Sequence, residues 1–140
     1  MGIICNTGLT PGVELQRFLS KVGVAEYFDM MIFSNEVGIR KPDRRIFRLA
    51  VQALRADPQE IVHIGDNLRI DVWGAKAAGF KAIHFSGNAG QDRMAESDPN
   101  SLVSLSRNLG VVGLTQMEPD KTVTSLSVVK ETIRDLENNV

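Results

Sequence analysis

The chain has 140 residues, enough for one domain with an ordinary core, and its 43% hydrophobic and 24% charged content are those of a globular protein. A net charge of −1 and a sequence pI near 6.1 give no reason to expect nucleic acid or a membrane surface as a partner. One cysteine excludes an intramolecular disulfide and fits a reducing cytosol, and with no membrane-length apolar run and no signal-peptide core the expected location is cytoplasmic.

In chain order, Gly2 to Cys5 reads as a first strand. Thr10-Pro11 then reads as an N-cap with proline at the first helical position. Leu15, Phe18, Leu19 and Val22 follow at helical spacing, and Gly23 ends the helix. Met30 to Phe33 is a buried strand. Pro42 opens a helix whose inner face is Ile46, Phe47, Ala50, Val51 and Leu54. Ile61 to Ile64 is a third strand, Ile70 to Ala78 a helix closed by Gly79, and Lys81 to Phe85 a fourth strand. Ser86 to Pro99 is polar and reads as a loop. Leu102, Leu105 and Leu109 suggest a short helix, Gly110 to Leu114 a short strand, and Thr122 to Leu126 a last strand. Val129, Ile133 and Leu136 give a terminal amphipathic helix. Strands alternating with helices imply an α/β fold with a parallel sheet covered on both faces, in a single domain over residues 1–140.

The chemistry-bearing segment is Val62-His63-Ile64-Gly65-Asp66-Asn67-Leu68-Arg69-Ile70-Asp71. An apolar strand ends in Gly-Asp, at the edge where open α/β sheets bind their ligands, with a second carboxylate five residues on. Carboxylates placed this way can hold a hard cation such as Mg²⁺. The alternative is that Asp66 caps the next helix and Asp71 is solvated. Upstream, Ile3-Ile4-Cys5-Asn6-Thr7-Gly8 is another apolar run ending in small polar residues. Its turn could cradle an anion with backbone N–H groups, or be an ordinary strand-to-helix turn. Between the two lies Glu36-Val37-Gly38-Ile39-Arg40-Lys41-Pro42-Asp43, with a lysine ahead of the helix-opening proline. Cys5, His63, His84 and Trp73 read as packed residues, and Arg44 and Arg48 as a solvated helix face.

In order and spacing, these three segments resemble the second, third and fourth motifs of the haloacid dehalogenase (HAD) superfamily, in its phosphatase-like branch. The resemblance is strongest over residues 2–86, where Ser34-Asn35-Glu36-Val37-Gly38, Gly74-Ala75 and Ala78-Gly79 also fit. It implies a HAD-like, doubly wound (Rossmann-like) parallel sheet and phosphate-monoester hydrolysis with Mg²⁺. It also implies a metal-ligating role for Asp66, a supporting or weak metal role for Asp71, and phosphate neutralisation by Lys41. Cys5 and Asn6 take the second-motif positions that meet the transferring phosphoryl group. Cys5 replaces the usual Ser or Thr, and a thiol is a weak donor there.

The family's first motif, Asp-x-Asp, supplies the nucleophile and the general acid/base, and no Asp-x-Asp occurs in these 140 residues. The sequence therefore reads as a HAD-like core without its first strand and cap, inactive alone for want of a nucleophile. Alternatives are a non-enzymatic binding or assembly module, or one half of a hydrolase completed by another chain. A sheet lacking its central strand points to a homodimer or a complementing chain as partner, and the lysine and turn to a phosphate or sulfate anion.

Overall fold

The computed structural model describes residues 1–87 and 118–138. The short helix and strand expected within 102–114, and most of the loop before them, lie outside the described residues.

Three strands have the bounds their apolar runs dictate: β1 (Gly2–Cys5), β2 (Met30–Phe33) and β4 (Lys81–Phe85). β3 (Val62–Gly65) starts one residue later than its β-branched run and takes in the glycine. β5 (Lys121–Val123) is shorter than expected, with Leu126 exposed beyond it. Helix α1 (Gly12–Lys21) starts one residue after its proline and α3 (Arg44–Leu54) two residues after. Pro11 itself occupies the cap position of α1. At α3 the Asp43 carboxylate accepts from Arg45 N at 2.9 Å and satisfies one of the free N–H groups of the first turn. A short helix α2 (Ser34–Val37), which the sequence pattern does not announce, follows β2 directly. It ends at Gly38, whose φ of +67° is the left-handed conformation that favours glycine.

The helix expected over 70–78 is two pieces: a widened π-type turn, Leu68–Val72, and a short helix α4 (Trp73–Ala77). Asn67 organises the turn. Its side-chain oxygen accepts from Arg69 N and Ile70 N, and its carbonyl accepts from Asp71 N at 2.8 Å and Val72 N at 3.3 Å. The terminal helix α5 spans Val129–Asn138. Among the described residues, no helix is long and apolar enough to cross a membrane.

Among the described residues all strand pairings are parallel, as the alternating pattern requires. They form two sheets: β1–β2, with Gly2 opposite Met30, and β3–β4–β5, with Val62 opposite Lys81 and Ile83 opposite Lys121. The two sheets are not hydrogen-bonded to each other. One apolar core serves both. Ile46, Phe47 and Ala50 of α3 are buried with Ile32 of β2, Ala75 of α4 and Ala82 of β4, and Ile4 of β1 packs against them. Phe47 meets His63 of β3 and Phe80 edge-on, with ring centroids 5.3 and 5.6 Å apart. The inner face predicted for α3 is thus the face that holds the two sheets over one core. Trp73, expected as core, is only half-buried, and Arg44 and Arg48 are exposed as a solvated face requires.

Candidate active site

Lys41 and Asp71 form the centre of the site. Lys41 Nζ donates to Asp71 Oδ1 at 2.6 Å, and the two side chains are 11% and 7% exposed. The widened turn carries Asp71 back over the end of β3, where Oδ2 accepts from Asn67 N at 3.1 Å. His63 Nε2 lies 3.4 Å from Oδ1, the longest of these contacts. Burial opposes charge on Asp71. The hydrogen bond to His63, together with the charge and hydrogen bond of Lys41, outweighs burial and holds the carboxyl at about 2. By distance, the lysine contact is the stronger of the two.

Gly65 makes this approach possible. A Cβ at that position would lie 2.3 Å from Asp71 Cγ and 2.4 Å from its Cβ, so any side chain would displace the carboxylate. The glycine is required by contact and not by conformation.

Asn6, one residue beyond β1, fixes the backbone of Lys41. Its Nδ2 donates to Lys41 O at 2.9 Å, and its Oδ1 accepts from Lys41 N at 2.8 Å. The side chain imitates a strand partner, satisfying both backbone groups of one residue. Asn6, Lys41 and Asp71 are therefore one connected unit, running from the carboxyl end of β1 to the carboxyl end of β3.

A second network fastens the turn after β1 to the start of α2. Thr7 N donates to Ser34 Oγ at 3.0 Å, Thr7 Oγ1 donates to Asn35 Oδ1 at 2.8 Å, and Gly12 N donates to the same oxygen at 3.1 Å. The Asn6-Thr7-Gly8 turn expected as an anion cradle has thus already committed its Thr7 N–H to Ser34. Cys5 is half-buried in β1 opposite Phe33.

Asp66 stands apart, exposed at the end of β3. Its backbone carbonyl lies 3.3 Å from His84 Nε2, and its carboxylate makes no hydrogen bond among the described residues. Asp71, named from the sequence as a weak metal ligand, has both oxygens engaged, one by Lys41 and the other by Asn67 N. Among the described residues no three His, Cys, Asp or Glu side chains gather as a metal-binding set. A hard cation needs about six oxygens, so a single free carboxylate does not fit Mg²⁺ as a site by itself.

The sequence pointed to Lys41, Asn6 and Asp71, and the fold brings these three together. His63 went unnamed as a site residue because a histidine inside an apolar strand reads as packing. The Thr7–Ser34–Asn35 network carries no local signal, since its partners are about 28 positions apart. The lysine–carboxylate pair thus sits at the carboxyl ends of parallel strands, the edge at which open α/β folds bind their ligands. Residues 3–79 match the family model for haloacid dehalogenase-like hydrolases, and the chain belongs to that family. It is 47% identical over 77 residues to a phosphoserine phosphatase of Thermus thermophilus, covering 54% of this chain and 31% of that one. A glyceraldehyde 3-phosphate phosphatase of Methanopyrus kandleri is 27% identical over 129 residues, covering 91% and 50%. The crystal structure of a HAD phosphatase from Thermococcus onnurineus superposes with a TM-score of 0.65 at 24% identity, over 94% of this chain and 49% of that one. The chain thus spans no more than half the length of these relatives.

Proposed function

We propose that this chain is the phosphate-handling part of a HAD-type phosphohydrolase and does not turn over phosphate monoesters by itself. The observation that carries this reading is the Asn6–Lys41–Asp71 unit at the strand ends. An ammonium has three N–H donors, of which Asp71 takes one, so Lys41 keeps capacity for phosphate oxygens. Asp71 keeps the lysine in one place, and Asn6 holds the backbone from which it projects. Fixed positive charge of this kind stabilises the negative charge of a transferring phosphoryl group. The described residues do not by themselves make a Mg²⁺ site, and Asp66 is the strand-end carboxylate that stays free among them.

Inactivity follows from the absence of Asp-x-Asp in the sequence. Removing a covalent nucleophile costs several orders of magnitude in rate, and the residual positioning and charge restore little of it. The 140-residue chain should therefore hydrolyse p-nitrophenyl phosphate with Mg²⁺ no faster than a Lys41→Met control. Turnover near the ~10 s⁻¹ of an ordinary enzyme, abolished by Asp66→Ala, would refute the reading.

A further inference from the structure

His63 lies within the site, yet phosphate handling by Lys41 gives it no part. Resting on that proposed function, we infer that His63 is a positioning residue, whose Nε2–H aims Oδ1 of Asp71 at Lys41. Oδ1 accepts from Lys41 Nζ at 2.6 Å, and His63 Nε2 lies 3.4 Å from the same oxygen. An ionised carboxylate only accepts, so the ring nitrogen that faces it carries the proton. Neutral His63 is therefore the Nε2–H tautomer. At 3.4 Å this is the weaker of the two bonds to Oδ1, and it contributes direction more than strength.

Direction is what the ion pair lacks without it. Lys41 reaches the carboxylate on a flexible four-carbon stem and cannot orient what it binds. The carboxylate itself turns readily about its Cβ–Cγ bond, because a terminal torsion of this kind has a broad minimum. Asn67 N, 3.1 Å from Oδ2, fixes one oxygen from the backbone of the turn and leaves the other to swing. His63 supplies the second fixed point, from β3.

The imidazole is in turn held from the core. Phe47 meets it edge-on, with ring planes at 86°, and Phe80 meets Phe47 at 88°. Phe47 and Phe80 are 0% and 2% exposed, and the His63 side chain is 12% exposed. A Cβ on Gly74 of α4 would lie 2.6 Å from Phe47 Cε2 and 3.1 Å from Pro42 Cα, so α4 closes on this ring and on the residue after Lys41 together. Helix α3 carries Phe47 and begins three residues after Lys41. Both partners of the ion pair thus take their places from one helix: Lys41 through the backbone, and Asp71 through Phe47 and His63. A histidine that only filled the strand would need no particular nitrogen toward Asp71.

The test uses the full 140-residue chain. Nitrogen NMR of the imidazole should show neutral His63 protonated at Nε2 and bare at Nδ1, and a proton on Nδ1 would overturn the inference. This measurement needs no variant and stands whether or not one folds. Gln carries its amide nitrogen as many bonds from Cβ as Nε2 stands, and Asn as many as Nδ1. His63→Gln therefore keeps the donor in place, and His63→Asn withdraws it. Exchange of the Lys41 ammonium protons with water, followed by NMR, should quicken about fivefold in His63→Asn and His63→Phe, the worth of one net hydrogen bond. In His63→Gln it should stay at the rate of the unsubstituted chain. Urea melts that show lost stability in the Asn and Phe variants with Lys41 exchange unchanged would reduce His63 to packing and overturn the inference. So would a Gln variant that behaves as the Asn variant does. Calorimetry with inorganic phosphate separates the two proposals: its affinity should fall about fivefold in His63→Asn and return in His63→Gln. No phosphate binding by any of these proteins, with tautomer and exchange as expected, would count against the proposed function and leave the positioning role standing.

Discussion

Removing both members of the Lys41–Asp71 pair should cost less than the sum of removing each one alone. In Lys41→Met the Asp71 carboxylate keeps only Asn67 N at 3.1 Å and His63 at 3.4 Å, with its side chain 7% exposed. Breaking a buried ion pair this way costs about 3–5 kcal/mol when nothing else solvates the orphan, and the two surviving contacts bring it to about 2–3 kcal/mol. Linkage gives an independent scale. A carboxyl held at about 2 instead of 3.8 is stabilised in its charged form by about 2 kcal/mol. Asp71→Asn should cost about the same, and the double variant less than the sum of the two by about 1–2 kcal/mol. Urea denaturation followed by circular dichroism at pH 7 measures all four corners of the cycle. The sign of the pH dependence is fixed as well. Because the folded carboxyl titrates below its unfolded value, its contribution is complete above about pH 4 and is lost as pH falls through about 2. Asp71→Asn should lack that component of acid destabilisation. Additivity within 0.5 kcal/mol, or identical acid profiles for the two proteins, would refute the coupling read from the 2.6 Å contact.

Two further substitutions test the supports of the site. Gly65→Ala puts a methyl 2.3–2.5 Å from the Asp71 carboxyl group and should destabilise by about 1–3 kcal/mol, as overpacking does; a neutral effect in thermal melts would show that Asp71 moves freely. Asn6→Ala strips two hydrogen bonds from the Lys41 backbone and should cost about 1–3 kcal/mol, read by the same melts, with Asn6→Asp failing to restore the donor to Lys41 O.

The sequence was most legible where one physical rule acted alone. β1, β2 and β4 are short apolar runs bounded by turn residues, and their limits could be read residue by residue. The buried face of α3 follows from the spacing of Ile46, Phe47 and Ala50. Legibility failed where a side chain overrode a local preference. Nothing between Leu68 and Val72 forbids an ordinary α-helix; Asn67 captures two N–H groups and Asp71 turns back onto Asn67 N, and together they open the turn. The pairing of Lys41 with Asp71, thirty positions apart, has no local pattern to announce it; resemblance to a family named the two residues separately. Asp43, and not Pro42, sets the start of α3, because a proline fixes only its own φ while the cap needs an acceptor.

The side chains of the Asn6–Lys41–Asp71 unit also join the two sheets, and this bears on how variants of Lys41 should be read. Asn6 ties Lys41 to β1 through its backbone, and Asp71 ties the other end of the lysine to β3. Beneath them, Phe47 and its neighbours hold both sheets to α3 without specifying how far apart their edges stand. An apolar contact is non-directional and tolerates sliding, whereas a bidentate amide and a short ion pair do not. The unit therefore ties the carboxyl ends of β1 and β3 to each other. Loss of phosphate handling in Lys41→Met is then confounded with a shift of one sheet against the other. Hydrogen exchange at Ile4 and Val62 separates the two: changed protection in the variant means the sheets have shifted, and unchanged protection means that charge alone was lost.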